Sequence, residues 1–244
     1  MKGNVLVTGG LGGLGTEVYR VLSRAGWRVY RHGRKVEEHP GLAWDMTDIS
    51  DVPRFVGELN ALVARGGLNA WINAAGVCIT DDRIDKNPIL AADMYSTHMT
   101  SIWLLSQAIT AADMWSPRAT IVNVSSTSAD RVTPNQSFYG ASKAGGEAMT
   151  RCLGSVLGPR GVQVVCIRSG LIDTPMSADV FADSDLTDKF AEHTPMRRTG
   201  LPRDIAELSL SAIEGRLPWV QGTIIVADGG ASLGWASTGG VARD

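Results

Sequence analysis

The stretch TGGLGGLG, residues 8–15, puts five glycines into eight positions between the apolar run Val5-Leu6-Val7 and the helix-like run Thr16–Leu22. A chain that gives up side chains between a strand and a helix gains three things. It can turn tightly, it can bring bare backbone N–H groups to an anion at a helix N-terminus, and it can pack that helix against the sheet. Two registers fit: Gly10-x-Gly12-x-x-Gly15, and the looser Thr8-Gly9-x-x-x-Gly13-x-Gly15. Both read as a pyrophosphate-binding loop of a dinucleotide site.

The rhythm around that loop predicts the architecture. Strand-like runs at Asn4–Thr8, Trp27–Arg31, Ala70–Asn73, Thr120–Ser125, Val162–Arg168 and Thr223–Val226 alternate with amphipathic stretches at Thr16–Ala25, Ile49–Ala64, Ala91–Ala112, Phe138–Leu157 and Arg203–Glu214. Parallel strands need crossovers, and crossovers are mostly helices, so the expected fold is α/β: a doubly wound parallel sheet, Rossmann-like, in one domain over residues 1–244. Asp173–Thr199 has weak periodicity and is expected to be a long loop over the substrate.

Composition narrows the partners. The chain is 44% hydrophobic and 20% charged with a net charge of −2, enough apolar material for a core and no basic field for nucleic acid. No run of about 18 apolar residues occurs, so no membrane span is expected. Cys78, Cys152 and Cys166 fall into no ligand spacing and read as buried, reduced thiols, which fits the cytoplasm and leaves no metal site.

Two further stretches bear on chemistry. Where an NAD site usually holds the adenosine ribose with a carboxylate, the chain reads Arg31-His32-Gly33-Arg34-Lys35, cations around a glycine, which suits a 2′-phosphate. Tyr139 and Lys143, four apart, share one helix face, and a lysine cation beside a phenol is expected to lower its pKa. Thirteen residues upstream, Ile121–Ser126 is a strand ending in two hydroxyls, and Ser126 is placed to hold a carbonyl oxygen.

With these residues in place the chain resembles the short-chain dehydrogenase/reductase family nearly from end to end. Thr8-Gly9-x-x-x-Gly13-x-Gly15 is similar to its cofactor loop, Asn73-Ala74-Ala75-Gly76 to its NAAG stretch, and Gly170-Leu171-Ile172-Asp173-Thr174-Pro175-Met176 to its nicotinamide segment. The resemblance implies catalytic roles for Ser126, Tyr139, Lys143 and His98. It implies cofactor contacts from Thr8, Gly9, Gly13, Leu14 and Gly15; from Arg31 and, more strongly, Arg34; from Asp45 and Met46; from Asn73, Ala74 and Gly76; from Tyr139 and Lys143; and from Gly170, Ile172 and Thr174.

Three positions depart from the family pattern. His98 replaces an asparagine that sits at a helix kink and helps hold a water between the lysine and solvent. It has three readings: a holder of the same water, a titrating relay, or a core residue. Ser169 replaces a proline, and Gly12 stands where many NADP-preferring members carry a cation, so coenzyme choice rests on Arg34.

The resemblance therefore implies NADPH-dependent reduction of a ketone to a secondary alcohol, a small-molecule carbonyl substrate, and a homotetramer or homodimer paired through the helix carrying Gly140, Gly145, Gly146 and Gly154. Two alternatives remain: the same residues oxidising a secondary alcohol, and a cofactor-binding regulator without turnover. The pocket is expected to be lined by Asp130–Ser137, Asp173–Thr199 and the tail Gly234–Asp244.

Overall fold

The computed structural model describes residues 1–34, 41–63, 66–80, 89–131 and 133–233; Lys35, Val132 and the tail Gly234–Asp244 lie outside the described residues. The strands are β1 (Asn4–Thr8), β2 (Arg28–Gly33), β3 (Leu42–Ala43), β4 (Leu68–Asn73), β5 (Trp115–Ser126), β6 (Gln163–Ser169) and β7 (Thr223–Ala227). All pair in parallel in the order β3-β2-β1-β4-β5-β6-β7. The chain winds outward from β1 through β2 and β3, then returns to β1's other side at β4. The strand order thus reverses between β1 and β4, where an open α/β sheet forms its binding crevice at the carboxyl ends.

Helices α1 (Gly13–Arg24) and α8 (Pro202–Ile213) cover one face and pack on each other. There Val5, Val7, Val18, Leu22, Ile72, Val122, Val165 and Ile205 are fully buried, or nearly so. Helices α2 (Val52–Val63), α4 (Ser101–Ala111) and α5 (Ser137–Leu157) cover the other, around Leu6, Phe55, Leu59, Trp71, Leu105 and Ile121. Alternation along β1 explains the division: Leu6 points to one layer and Val5 and Val7 to the other, as a period of two requires.

Several expectations change. The expected helix Ala91–Ala112 is three pieces: α3 (Ile89–Tyr95), a π-turn over Ser96–Thr100, and α4. Asp173–Thr199 is not a loop. It carries a 3-10 turn at Pro175–Ser177 and two helices, α6 (Ala178–Phe181) and α7 (Ser184–His193). Asp183 starts α7 by accepting the Leu186 N–H at 3.0 Å. Neither helix buries a residue, so no apolar stripe announced them in the sequence. Strand β3 is two residues long, too short for any pattern to reveal it.

The cysteines divide three ways: Cys166 is buried, Cys78 partly so, and Cys152 is exposed, which corrects the expectation of three buried thiols. The glycines of α5 answer to neighbours within this chain. A β-carbon at Gly140 would lie 2.5 Å from the Ser128 carbonyl oxygen, one at Gly146 2.8 Å from that of His98, and one at Gly154 2.8 Å from Gly222 Cα. Close backbone approach is present, and its partners are intramolecular.

Candidate active site

The glycine loop is built before any ligand enters it. Gly9 has φ +71°, a left-handed conformation, and its β-carbon would sit 2.6 Å from the Ala75 nitrogen, so glycine is required twice over. At Gly15 a β-carbon would strike the Gly9 carbonyl at 2.1 Å, which is how α1 comes so close beneath the loop. Gly13 lies under Pro175, and Gly12 alone looks onto open space, with only the Gly9 carbonyl at 3.3 Å. No acidic residue occupies the first turn of α1, and no side chain caps it, so its N-terminal N–H groups face the cleft as an anion site.

Two side chains of β2 brace this loop. His32 is 2% exposed; its Nδ1 accepts the Gly9 N–H at 3.2 Å and its Nε2 donates to the Trp44 carbonyl at 2.8 Å. Burial pulls its pKa down to about 4, so it is a neutral strut and not one of the cations expected here. Arg31 donates to the Gly10 carbonyl at 2.9 Å and to Thr16 Oγ1 at 3.1 Å, with its guanidinium 4.7 Å from the Tyr19 ring centroid. It clamps the loop to α1 and does not reach the cleft wall. The exposed Arg34 does.

The cleft has a volume of about 1150 Å³. On its wall are Gly9, Gly13, Leu14, Gly15, Arg34, Asp45, Met46, Ala74, Gly76, Ser126, Tyr139, Lys143, Gly170, Ile172 and Thr174. Thr8 and Asn73 are inside the sheet instead. The Thr8 hydroxyl receives Trp71 Nε1 at 3.0 Å and donates to Asn73 Oδ1 at 2.8 Å, tying β1 to β4 below the loop. Ser169 hydrogen-bonds the Ser125 carbonyl at 3.1 Å, so the residue in the family's proline position anchors β6 to β5. Across the cleft, Met176, Val180, Phe190 and Met196 from the 175–196 segment supply an apolar wall.

Ser126 ends β5, and its Oγ accepts the Ser128 N–H at 3.2 Å in the following 3-10 turn. The Tyr139 phenol is hydrogen-bonded to Ser126 and pushed up to about 12, chiefly by burial. This reverses the expected direction. Lys143, 5.8 Å from the phenol ring centroid, is itself buried and drawn down to about 8, and it is burial that governs the phenol. A phenol so placed holds its proton at neutral pH and can give it to a developing alkoxide.

His98 lies in the π-turn, 2% exposed, facing Tyr139 edge-on with ring centroids 5.7 Å apart. Ser142 Oγ donates to the Tyr139 carbonyl at 2.8 Å, so it accepts from His98 Nδ1, also at 2.8 Å. That leaves Nε2 to accept the Val77 N–H at 3.2 Å. Both ring nitrogens are engaged by protein. Burial, then the Lys143 charge, holds the imidazole well below its usual pKa. Ser142, the partner that defines this tautomer, went unnoticed in the sequence; its one signal is its place between Tyr139 and Lys143.

His32 and His98 make stability pH-dependent in a definite direction. A histidine whose folded pKa is lowered contributes stability that is intact above its unfolded pKa and is lost as pH falls toward the folded value. For His32, with about 6.5 unfolded and about 4 folded, the loss between pH 7 and pH 5 is about 2 kcal/mol. His98 adds to it. Urea titrations at the two pH values should show a lower midpoint at pH 5, and a smaller drop in His32→Gln; equal drops in both proteins would refute the neutral-strut assignment.

A reversing parallel sheet, a glycine loop at a helix N-terminus and a serine, tyrosine and lysine converging beside it define a nicotinamide-dependent oxidoreductase site. The chain belongs to the short-chain dehydrogenase/reductase family: residues 16–232 match the family model described as enoyl-(acyl carrier protein) reductase. A protein of Streptomyces violaceoruber named as a ketoacyl reductase of granaticin polyketide synthase is 30% identical over 93% of this chain and 95% of its own. The 3-oxoacyl-[acyl-carrier protein] reductase of Brucella melitensis, solved in complex with NAD, superposes with a TM-score of 0.86 at 25% identity, over 96% of this chain and 99% of its own. A gluconate 5-dehydrogenase of Burkholderia cenocepacia, solved with NADP and tartrate, has the same fold, with a TM-score of 0.85 at 18% identity, over 96% of each chain.

Proposed function

We propose that the protein reduces a ketone to a secondary alcohol with NADPH. The observation that carries the reading is the buried, protonated Tyr139 beside Ser126 and Lys143 on the wall of the cleft that begins at the glycine loop. The glycine cradle and the open α1 N-terminus fit a dinucleotide pyrophosphate, and the bound dihydronicotinamide would supply the hydride. The chain's own residues do the rest. Ser126 holds the substrate oxygen, Tyr139 gives it a proton as the carbon is reduced, and Lys143 holds the nicotinamide ribose and presents a cation near the phenol.

The choice of NADPH rests on the end of β2. Gly33 offers no carboxylate to the adenosine ribose, and the exposed Arg34 on the cleft wall offers a guanidinium to a 2′-phosphate. Charge-assisted hydrogen bonds of this kind are worth about 1.5–3 kcal/mol, so Arg34→Ala should cut the NADPH/NADH preference in kcat/KM by roughly 10- to 100-fold. Steady-state rates with both coenzymes measure this; a wild type that prefers NADH, or an unchanged ratio in the variant, would overturn the assignment. A small-molecule carbonyl substrate, a homodimer or homotetramer and a cytoplasmic setting complete the reading, with sedimentation velocity the measure of assembly.

A further inference from the structure

The turn that follows Ser126 is held by charged groups that do not touch the cleft. Arg168, on β6, is paired with Ser125 of β5, and its side chain reaches α5. There its Nε and Nη2 donate to the two carboxylate oxygens of Glu147 at 2.8 and 2.6 Å. Glu147 lies one helical turn beyond Lys143, and the pair is well covered, with side-chain exposures of 5% for Glu147 and 15% for Arg168. The third corner of the guanidinium, Nη1, lies 3.0 Å from the Asp130 carboxylate, which is 57% exposed. None of the three residues is on the cleft wall. The bidentate contact fixes the plane of the guanidinium, so Nη1 is aimed at Asp130 without further ordering.

Asp130 closes the 3-10 turn Thr127–Ala129. Its N–H and that of Arg131 donate to the Thr127 carbonyl at 3.1 and 3.0 Å. The Ser128 carbonyl of the same turn presses on Gly140 of α5, where a β-carbon would lie 2.5 Å away. Between these two anchors the Ser128 N–H donates to Ser126 Oγ at 3.2 Å, and Ser126 is hydrogen-bonded to Tyr139. An N–H fixed on one lone pair of Oγ restricts where that hydroxyl can point, so its direction follows the position of the turn. A buried ion pair seldom adds much net stability, because desolvation offsets the attraction. What this one supplies is a fixed spacing between α5, β6 and the turn.

We propose that Arg168 and Asp130 are positioning residues for Ser126. Arg168, oriented by Glu147, pins the turn after β5 to α5 and β6, and so sets the place of the Ser128 N–H and of the Ser126 hydroxyl relative to Tyr139. The effect on catalysis rests on the ketoreductase reading; the brace itself does not.

Asp130→Ala removes the exposed arm and leaves the buried pair intact. It should lower ketone kcat/KM by about 3- to 10-fold, with coenzyme affinity within about twofold of wild type and the thermal midpoint little changed. Asp130→Asn, which keeps an acceptor oxygen at the same reach, should recover most of the loss. Arg168→Lys keeps a charge against Glu147 but lacks the fork that serves two carboxylates, so it should show a similar loss, and the two losses should not add in the double variant. If the lysine variant does not fold, Asp130→Ala still tests the brace. Amide hydrogen exchange over residues 126–131 should quicken in Asp130→Ala whether or not a ketone is reduced, so failure of the ketoreductase reading and failure of the brace are separately visible. Unchanged exchange would overturn the proposal. So would ketone kinetics like those of wild type despite faster exchange, or a loss shared equally by coenzyme affinity and thermal midpoint, the mark of a general structural role.

Discussion

Tyr139→Phe should lower kcat by roughly 10²–10⁴-fold while leaving coenzyme affinity within about twofold of wild type, because it removes the transferable proton and little else. The ring stays packed against His98, and the glycine loop, Arg34 and Lys143 are untouched. The large effect follows from the state of the phenol. Burial pushes it up to about 12 and Ser126 is hydrogen-bonded to it, so the group is protonated and available to the substrate oxygen of the proposed reaction. Steady-state kinetics and coenzyme titration by fluorescence measure the two quantities separately. A variant that keeps more than about a tenth of kcat would falsify the general-acid role.

Gly9→Ala and Gly12→Ala should separate glycines that build the loop from one that leaves room for a ligand. At Gly9 the new β-carbon meets Ala75 at 2.6 Å and the backbone is left-handed, which costs an L-residue about 1–2 kcal/mol before any clash. Its N–H also holds His32. The loop must therefore move, and both thermal stability and coenzyme affinity fall, the latter by about a hundredfold. At Gly12 the β-carbon meets only one carbonyl at 3.3 Å and φ is −77°. Stability should stay near wild type there, while affinity falls if the pyrophosphate lies over that open backbone. Unfolding curves and isothermal titration decide it; unchanged coenzyme affinity in Gly9→Ala would contradict the loop assignment.

How much of this was legible from sequence depended on the range of the signal. The β-then-α rhythm, the position of the glycine loop and the pairing of Tyr139 with Lys143 are properties of neighbours along the chain, and each was readable there. So was Ser126, because a strand ending in hydroxyls points to the carboxyl edge of a parallel sheet. Helices α6 and α7 were not, since neither buries a residue and so neither shows an apolar stripe. Strand β3 was too short to carry a period.

The sequence by itself determined the doubly wound fold, the glycine loop at a helix N-terminus and the gathering of Ser126, Tyr139 and Lys143, because hydrophobic period and helical spacing act over a few residues. Only the tertiary structure decided what each polar group does once buried. Arg31 and His32 became braces of the loop, while Arg34 stayed on the cleft wall. The Tyr139 pKa went up instead of down, and His98 committed both nitrogens to Ser142 and Val77. Desolvation and hydrogen-bond choice depend on which distant segments the fold brings together, and no local pattern records them.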